Sequence, residues 1–255
     1  MGALCLCSPA AHASIVNLIA ETEMANASFS AVVVDSTGGF SGSAAQISAG
    51  GNPGAYRAIV HSSAQGVASG HIVHTHIATW TPSISGEIVS LDMGVDAICF
   101  DGGTSNAVGF GLVLVQDAVR YYGPSYTALT ASGWRTDLQL TGLVAADFVG
   151  MSANPDFSST GSEIAFGFYT SNGTQSGTPI SSSSGADNFA VALTVIPACA
   201  GDINGDGLTN ASDFTILAGN FGSAVAPNTG GDLSGDGFVN AADFTILAGD
   251  FGCIE

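Results

Sequence analysis

The sequence predicts an all-β sandwich or jelly roll followed by a small α-helical unit of paired EF-hand-like repeats. Three observations predict it. Between 28 and 196, short runs of β-branched and aromatic residues alternate with polar ones at period two, and Gly, Ser, Asn and Pro clusters separate them. The charged fraction is only 9% while glycine contributes 35 residues, which suits a loop-rich β domain. Near the end, G-D-I-N-G-D-G-L-T-N-A-S-D-F-T-I-L-A-G-N-F-G at 201–222 returns as G-D-L-S-G-D-G-F-V-N-A-A-D-F-T-I-L-A-G-D-F-G at 231–252, matching at 16 of 22 positions.

The elements follow in chain order. Pro9-Ala10-Ala11-His12-Ala13 supplies small residues at the −3 and −1 positions of a signal-peptide cleavage site, so 1–13 reads as a signal remnant and the mature chain as starting near Ser14. Alternating apolar patterns place strands at 30–34, 56–61, 71–80, 87–91, 94–100, 108–116, 135–140, 163–170 and 188–195. The short apolar stretch 143–148 reads as a connecting turn and the serine run 181–184 as a loop. Pro197 ends the last strand and begins a hinge, giving a β-sandwich module over 14–197 and a small unit over 198–255. No stretch has 18 consecutive apolar residues, so no transmembrane helix is indicated.

Each C-terminal repeat spaces oxygen donors as a twelve-residue calcium loop does. Positions 1, 3, 5, 9 and 12 are Asp202, Asn204, Asp206, Asn210 and Asp213 in the first, and Asp232, Ser234, Asp236, Asn240 and Asp243 in the second. Calcium takes six to eight oxygens; glycine at position 6 (Gly207, Gly237) permits the sharp turn, and the position-7 carbonyl (Leu208, Phe238) adds a ligand. Two calcium ions are therefore expected, with the serine-containing second loop the weaker. A short helix follows each loop. Phe214, Leu217, Ala218 and Phe221, repeated as Phe244, Leu247, Ala248 and Phe251, fall on one helical face, and Gly219, Gly222, Gly249 and Gly252 end the helices. Ten-residue helices are too short to stand alone, so the two stripes are expected to pack together.

These residues resemble a type I dockerin domain, which has two such repeats and aspartate at position 12. The resemblance covers about 55 residues. It implies attachment of a secreted enzyme or binding module to a cohesin-like or cell-surface protein. Partner choice in that family leans on positions 10 and 11, here Ala211–Ser212 and Ala241–Ala242, and on basic residues further along, here Ala218–Gly219 and Ala248–Gly249. The unit contains no Lys or Arg, a departure from the family pattern. Similar repeats close many secreted bacterial proteins, planctomycete ones especially. A pair of EF-like hands brings its ends together, so Cys199 and Cys253, which bracket the unit, are expected to form a disulfide, reasonable in a secreted chain. Cys99 reads as a buried thiol, and Cys5 and Cys7 would leave with the signal.

Charge excludes one function class. The chain has no lysine, three arginines (Arg57, Arg120, Arg135) and 21 acids, for a net charge of −18. Nucleic-acid binding needs a basic footprint, so no nucleic-acid partner is expected.

The sandwich module resembles the jelly rolls of secreted bacterial proteins that are similar to carbohydrate-binding and laminin-type domains. Gly50-Gly51-Asn52-Pro53-Gly54, Pro155-Asp156-Phe157, Phe166-Gly167-Phe168-Tyr169 and Asp187-Asn188-Phe189 carry that resemblance. It makes Asp187 a candidate ligand for a structural calcium and a polysaccharide a candidate partner. Sugar binding uses exposed aromatic platforms, for which Trp80, Tyr121, Tyr122, Tyr126 and Trp134 are the candidates, with 121–126 read as a loop. His74 and His76 share a strand face opposite His71, and two imidazoles need a further ligand to hold a metal, so a packed or solvated strand is the simpler reading. No catalytic residues are assigned. The E-x-D-x-x-E motif of jelly-roll glucanases is missing, Glu87 and Glu163 merely begin strands, and no G-x-S-x-G, Walker or zincin motif occurs. The reading is a secreted, non-catalytic binding and assembly protein; the alternatives are a carbohydrate-active enzyme or a structural cell-surface protein.

Overall fold

The computed structural model describes residues 13–35, 39–63, 68–100, 108–126, 133–174 and 179–254. The signal-peptide reading, with Cys5 and Cys7, lies outside these residues. The chain forms two compact units, one of Ile15–Ser83 and Ile88–Val195, the other built on Ile196–Glu255 with Ile84–Glu87.

The larger unit is a two-sheet sandwich. Its strands are β1 (Ser14–Glu21), β2 (Phe29–Asp35), β3 (Phe40–Gly51), β4 (Gly54–Ser63), β5 (Ala68–Trp80), β6 (Glu87–Cys99), β7 (Gly109–Gln116), β8 (Val119–Tyr126), β9 (Arg135–Leu143), β10 (Ile164–Thr174) and β11 (Ile180–Ile196), with a helical turn α1 at Pro82–Ser85. One sheet runs β3-β4-β11-β6-β9, with β1 also paired to β11; the other runs β2-β5-β10-β7-β8. Strands adjacent in space but distant in sequence, such as β4 with β11 and β10 with β5 and β7, pair antiparallel. Period-two alternation sends one set of side chains inward. Phe29, Phe110, Phe166, Phe168, Phe189, Ile59, Ile72, Leu91 and Leu112 meet between the sheets. The second unit carries α2 (Ala211–Asn220) and α3 (Ala241–Asp250) around Leu217, Val239 and Leu247.

The strand expectations need four corrections, each with a physical cause. β1 and β3 were not anticipated. In β3 the outward positions are exposed, and between the buried Phe40 and the exposed Ile47 the inward side offers only Gly42, Ala44 and Gln46, so little apolar signal marks it. Residues 121–126 are not a loop but most of β8, an edge strand, where Pro124 removes no needed ladder donor. The runs 87–91 and 94–100 belong to one strand, β6, whose register shifts near Leu91 and Met93. The serine run 181–184 is paired strand, with Ser182 and Ser184 buried and bonded to the Asn172 side chain and the Ile59 carbonyl. By contrast, the 143–148 stretch does turn, with a 3-10 segment at Ala145–Asp147, and Cys99 is buried.

Candidate functional site

In the C-terminal unit the two loops have nearly the same internal wiring. Asp202 accepts from the backbone N–H groups of Gly205 (2.8 Å), Asp206 (3.2 Å) and Gly207 (2.7 Å). Asp232 accepts from Gly235 (2.9 Å), Asp236 (3.2 Å) and Gly237 (2.8 Å). Gly207 and Gly237 sit at φ +82° and +85°, the left-handed conformation the turn requires. The buried position-12 carboxylates close each loop: Asp213 accepts from Ile203 and Asn210, and Asp243 from Ser234 and Asn240. Burial alone would raise the Asp243 pKa, but the Asn240, Ser234 and Leu233 donors hold it below the usual carboxylate value.

Those residues also start the helices. Asn210 Oδ1 accepts from Ser212 N at 2.7 Å and Asn240 Oδ1 from Ala242 N at 2.8 Å, and Asp213 and Asp243 complete capping boxes. Positions 9 and 12 are thus N-cap and N3, a signal also present in the sequence as N-x-x-D.

The donors suit a hard cation. Within each loop the oxygen-bearing side chains converge: Asn204 Nδ2 lies 3.1 Å from Asp206 Oδ2, Ser234 Oγ 3.2 Å from Asp232 Oδ1, and Asn240 Nδ2 3.3 Å from Asp236 Oδ2. Carboxylate, amide, hydroxyl and backbone oxygens, with no sulfur or imidazole, fit calcium. Among the described residues, the one grouping of three His, Cys, Asp or Glu donor atoms within 4.8 Å of one another is Cys199, Asp250 and Cys253. Both sulfurs there belong to the expected Cys199–Cys253 disulfide (Cα–Cα 5.6 Å), so the grouping is a clasp and not a metal centre.

The helices bury a different stripe from the one anticipated. The covered positions are Asp213, Ile216, Leu217 and Asn220, with Asp243, Ile246, Leu247 and Asp250 in the second copy. Of the anticipated stripes only Leu217 and Leu247 are buried. Phe214 (43% exposed) and Phe244 (45%) instead meet edge-to-face at 6.1 Å on the surface, and Phe221 and Phe251 are also exposed. The helix phase rotates because the position-12 aspartates must point back into the loops. Gly222 and Gly252 follow the helices at φ +80° and +94°, whereas Gly219 and Gly249 lie within them.

In the sandwich, the predicted sugar-binding aromatics separate. Trp80 and Tyr121 pack against the core. The side chain of Tyr126 lies outside the described residues. Trp134 is half-buried, edge-on to Tyr56 at 5.8 Å, while Tyr56 tilts against Phe100 at 5.6 Å. Tyr122 lies on the outer face of the β2-β5-β10-β7-β8 sheet, where its hydroxyl meets His71 Nε2 at 2.6 Å and its ring meets Tyr169 edge-to-face at 5.1 Å. Tyr56, Phe100, Tyr169 and His71 were missed as aromatic-patch members because strand alternation does not say which distant rings converge.

The histidines are engaged in packing. His74 is buried, accepts from Arg57 Nε at 3.1 Å and stacks on Phe168. His76 lies 3.6 Å from Glu21 and edge-on to Phe29. Glu163 accepts from Thr79 Oγ1 at 3.0 Å. Asp187 is buried within β11 and accepts from Asn52 N (2.5 Å) and Asn188 N (2.7 Å). Beside it, Asp96 accepts from Gln139, Asn188 and Asn52 amides. Burial, with Asp96 and Glu23 adding to it, raises the Asp187 pKa against the pull of its two N–H donors.

No curated protein matches the chain. Among solved structures, one of carbohydrate-binding modules of the β-sandwich superfamily aligns at TM-score 0.41 and 8% identity, covering 68% of this chain and 61% of that one. A family 11 carbohydrate-binding module from Clostridium thermocellum, in complex with a β-1,3-1,4-mixed-linked tetrasaccharide, aligns at 0.38 and 13%, covering 66% and 89%. A carbohydrate-binding module described for specific mannan recognition, TmCBM27, aligns at 0.38 and 8%, covering 71% and 99%. Likenesses this distant carry no inference about ligand. The C-terminal loops are more specific: residues 200–251 match the model of the dockerin type I domain family, to which the C-terminal unit is similar.

Proposed function

We propose that the protein is a secreted binding and assembly protein in which a calcium-loaded dockerin-like unit attaches a polysaccharide-binding β-sandwich. The attachment half draws support from the family match over 200–251 and from the outer helix faces. Ala211, Ser212, Thr215, Ala218 and their counterparts are exposed and uncharged, and the Phe214–Phe244 pair lies among the exposed residues. Surface helices normally turn charged residues to water, so these faces suit a cohesin-like or cell-surface protein partner. Asp202, Asn204, Asp206, Leu208, Asn210 and Asp213 would hold one ion, and Asp232, Ser234, Asp236, Phe238, Asn240 and Asp243 the second. When bound, calcium supplies positive charge that fixes both loops. Asp187 and Asp96 would hold a third ion in the sandwich. The Cys199–Cys253 disulfide suits an oxidising, extracellular setting, and no helix among the described residues is long and apolar enough to cross a membrane.

The observation that carries the polysaccharide half is the His71–Tyr122–Tyr169 patch, three half-buried rings meeting edge to face, with a hydroxyl and an imidazole at their tips. Aromatic bodies with polar tips bind sugars through ring stacking and hydrogen bonds together. A glycan array probed with the full chain in calcium should give a reproducible hit that Tyr122→Ala loses. A blank array would remove the polysaccharide half and leave attachment alone.

A further inference from the structure

We propose that this patch selects acidic sugars, with Arg120 receiving the carboxylate or sulfate of a ring stacked on the tyrosines. The proposal rests on the polysaccharide reading and adds a ligand class to it.

Register places the groups together. Tyr122 pairs with Val113 and Arg120 with Val115, so the two side chains share one face of the edge strand β8. Tyr169 pairs with Gly111 on β7. A Cβ at Gly111 would stand 2.4 Å from the Tyr169 ring, so the missing side chain lets that ring lie down on the sheet. His71 reaches over from β5 to the Tyr122 hydroxyl, fixing both rings. Arg120 is near enough to His71 and Tyr122 to act on both electrostatically.

The charge pattern makes Arg120 informative. The chain offers 21 carboxylates to three arginines and no lysine. Arg57 is buried and Arg135 opens β9 in the other sheet. Yet Arg120, half-exposed and three residues from Asp117, makes no ion pair among the described residues, where the one ion pair is His76–Glu21. A guanidinium with no ion pair among the described residues, on the same strand face as the Tyr122 ring, presents a planar fork to an incoming oxyanion. The repulsion of a net −18 chain does not override this locally, because salt screens exposed charges beyond about 8 Å.

The test is titration calorimetry of the full chain in calcium with four oligosaccharides of equal length: a galacturonate, a sulfated galactan, a cello-oligomer and a xylo-oligomer. At least one acidic oligomer should bind about tenfold or more tighter than the neutral ones, and the advantage should shrink at high salt. Arg120→Gln should erase the advantage and leave neutral binding and the thermal midpoint unchanged; Arg120→Lys should keep part of it. Tyr122→Ala should weaken acidic and neutral binding alike. Which acidic oligomer responds tells carboxylate from sulfate. Neutral oligomers binding as tightly as acidic ones, or Arg120→Gln weakening both equally, would overturn acid selection while sparing the polysaccharide reading. No binding by any oligomer would overturn both.

Discussion

His61 and His74 are buried in a sandwich whose core is built mainly from phenylalanine, isoleucine, leucine and valine. His61 Nε2 pairs with Thr170 Oγ1 at 2.9 Å, but its Nδ1 and the Nε2 of His74 have no partner among the described residues. Burial therefore penalises the charged ring, and the His61 pKa falls from 6.5 to about 4. A depressed histidine pKa has a definite sign. Above pH 6.5 neither state binds the proton. Between 6.5 and about 4 the unfolded chain binds it and the folded one does not, so stability falls as pH falls. From pH 7 to 5 the share of His61 is about 2 kcal/mol. His61→Gln should lose that much less than the parent over the same interval in urea titrations; equal losses would show that the ring is not kept neutral. The histidine spacing was legible in the sequence, as was the shared face of His74 and His76. The partner across the sandwich, Arg57, was not, because nothing local links two strands in different sheets.

At the scale of elements, the two calcium-type hands are tied crosswise. The segment leaving α3 bonds to the first loop, with Thr209 N to Cys253 O at 3.1 Å and Gly252 N to Thr209 O at 2.8 Å. The segment leaving α2 bonds to the second, with Gly222 N to Val239 O at 2.8 Å and Val239 N to Ser223 O at 3.0 Å. The helix ends repeat the exchange: Asp250 accepts from Gly201 N and Thr209 Oγ1, and Asn220 donates to Gly230 O. Disordering one loop must therefore loosen the strand that braces the other. In calorimetry, Asp206→Ala should remove the first site and also weaken the second by about tenfold, roughly 1.4 kcal/mol. An untouched second site would mean the hands act separately. The repeats, the ten-residue helices and the turn glycines Gly207, Gly237, Gly222 and Gly252 were readable from spacing, and the disulfide from the pairing of the hands, but Gly219 and Gly249, expected to end the helices, lie within them. The helix phase was not, because an apolar stripe counts phenylalanines as core. Here capping by Asp213 and Asp243 turns the helices and leaves Phe214 and Phe244 outside. The same limit hid β8, where a Gly-Pro pair looks like a turn until the strand is seen to lie at a sheet edge.

For the molecule as a whole, the decisive quantity is where its negative charge is neutralised. Eight of the 21 acids lie in 199–255, six of them at loop ligand positions, so calcium should stabilise the C-terminal unit through preferential binding to its folded state. The sandwich has a smaller concentration of its own: Asp187 and Asp96 stand side by side, with Glu23 near enough to raise the Asp187 pKa further. The Asn52, Asn188 and Gln139 amides satisfy their lone pairs but bring no net charge. Two compact units should give two calorimetric transitions. Chelation should lower both: the C-terminal one through Asp202–Asp213 and Asp232–Asp243, the sandwich one through Asp187. Asp187→Asn should abolish the chelator response of the sandwich transition alone, and Asp206→Ala with Asp236→Ala that of the C-terminal one alone. A sandwich transition indifferent to chelator in the parent chain would show that amide donors suffice for Asp187 and Asp96. Calcium would then belong to the attachment unit only, and loss of the ion would detach the sandwich from its partner without unfolding it.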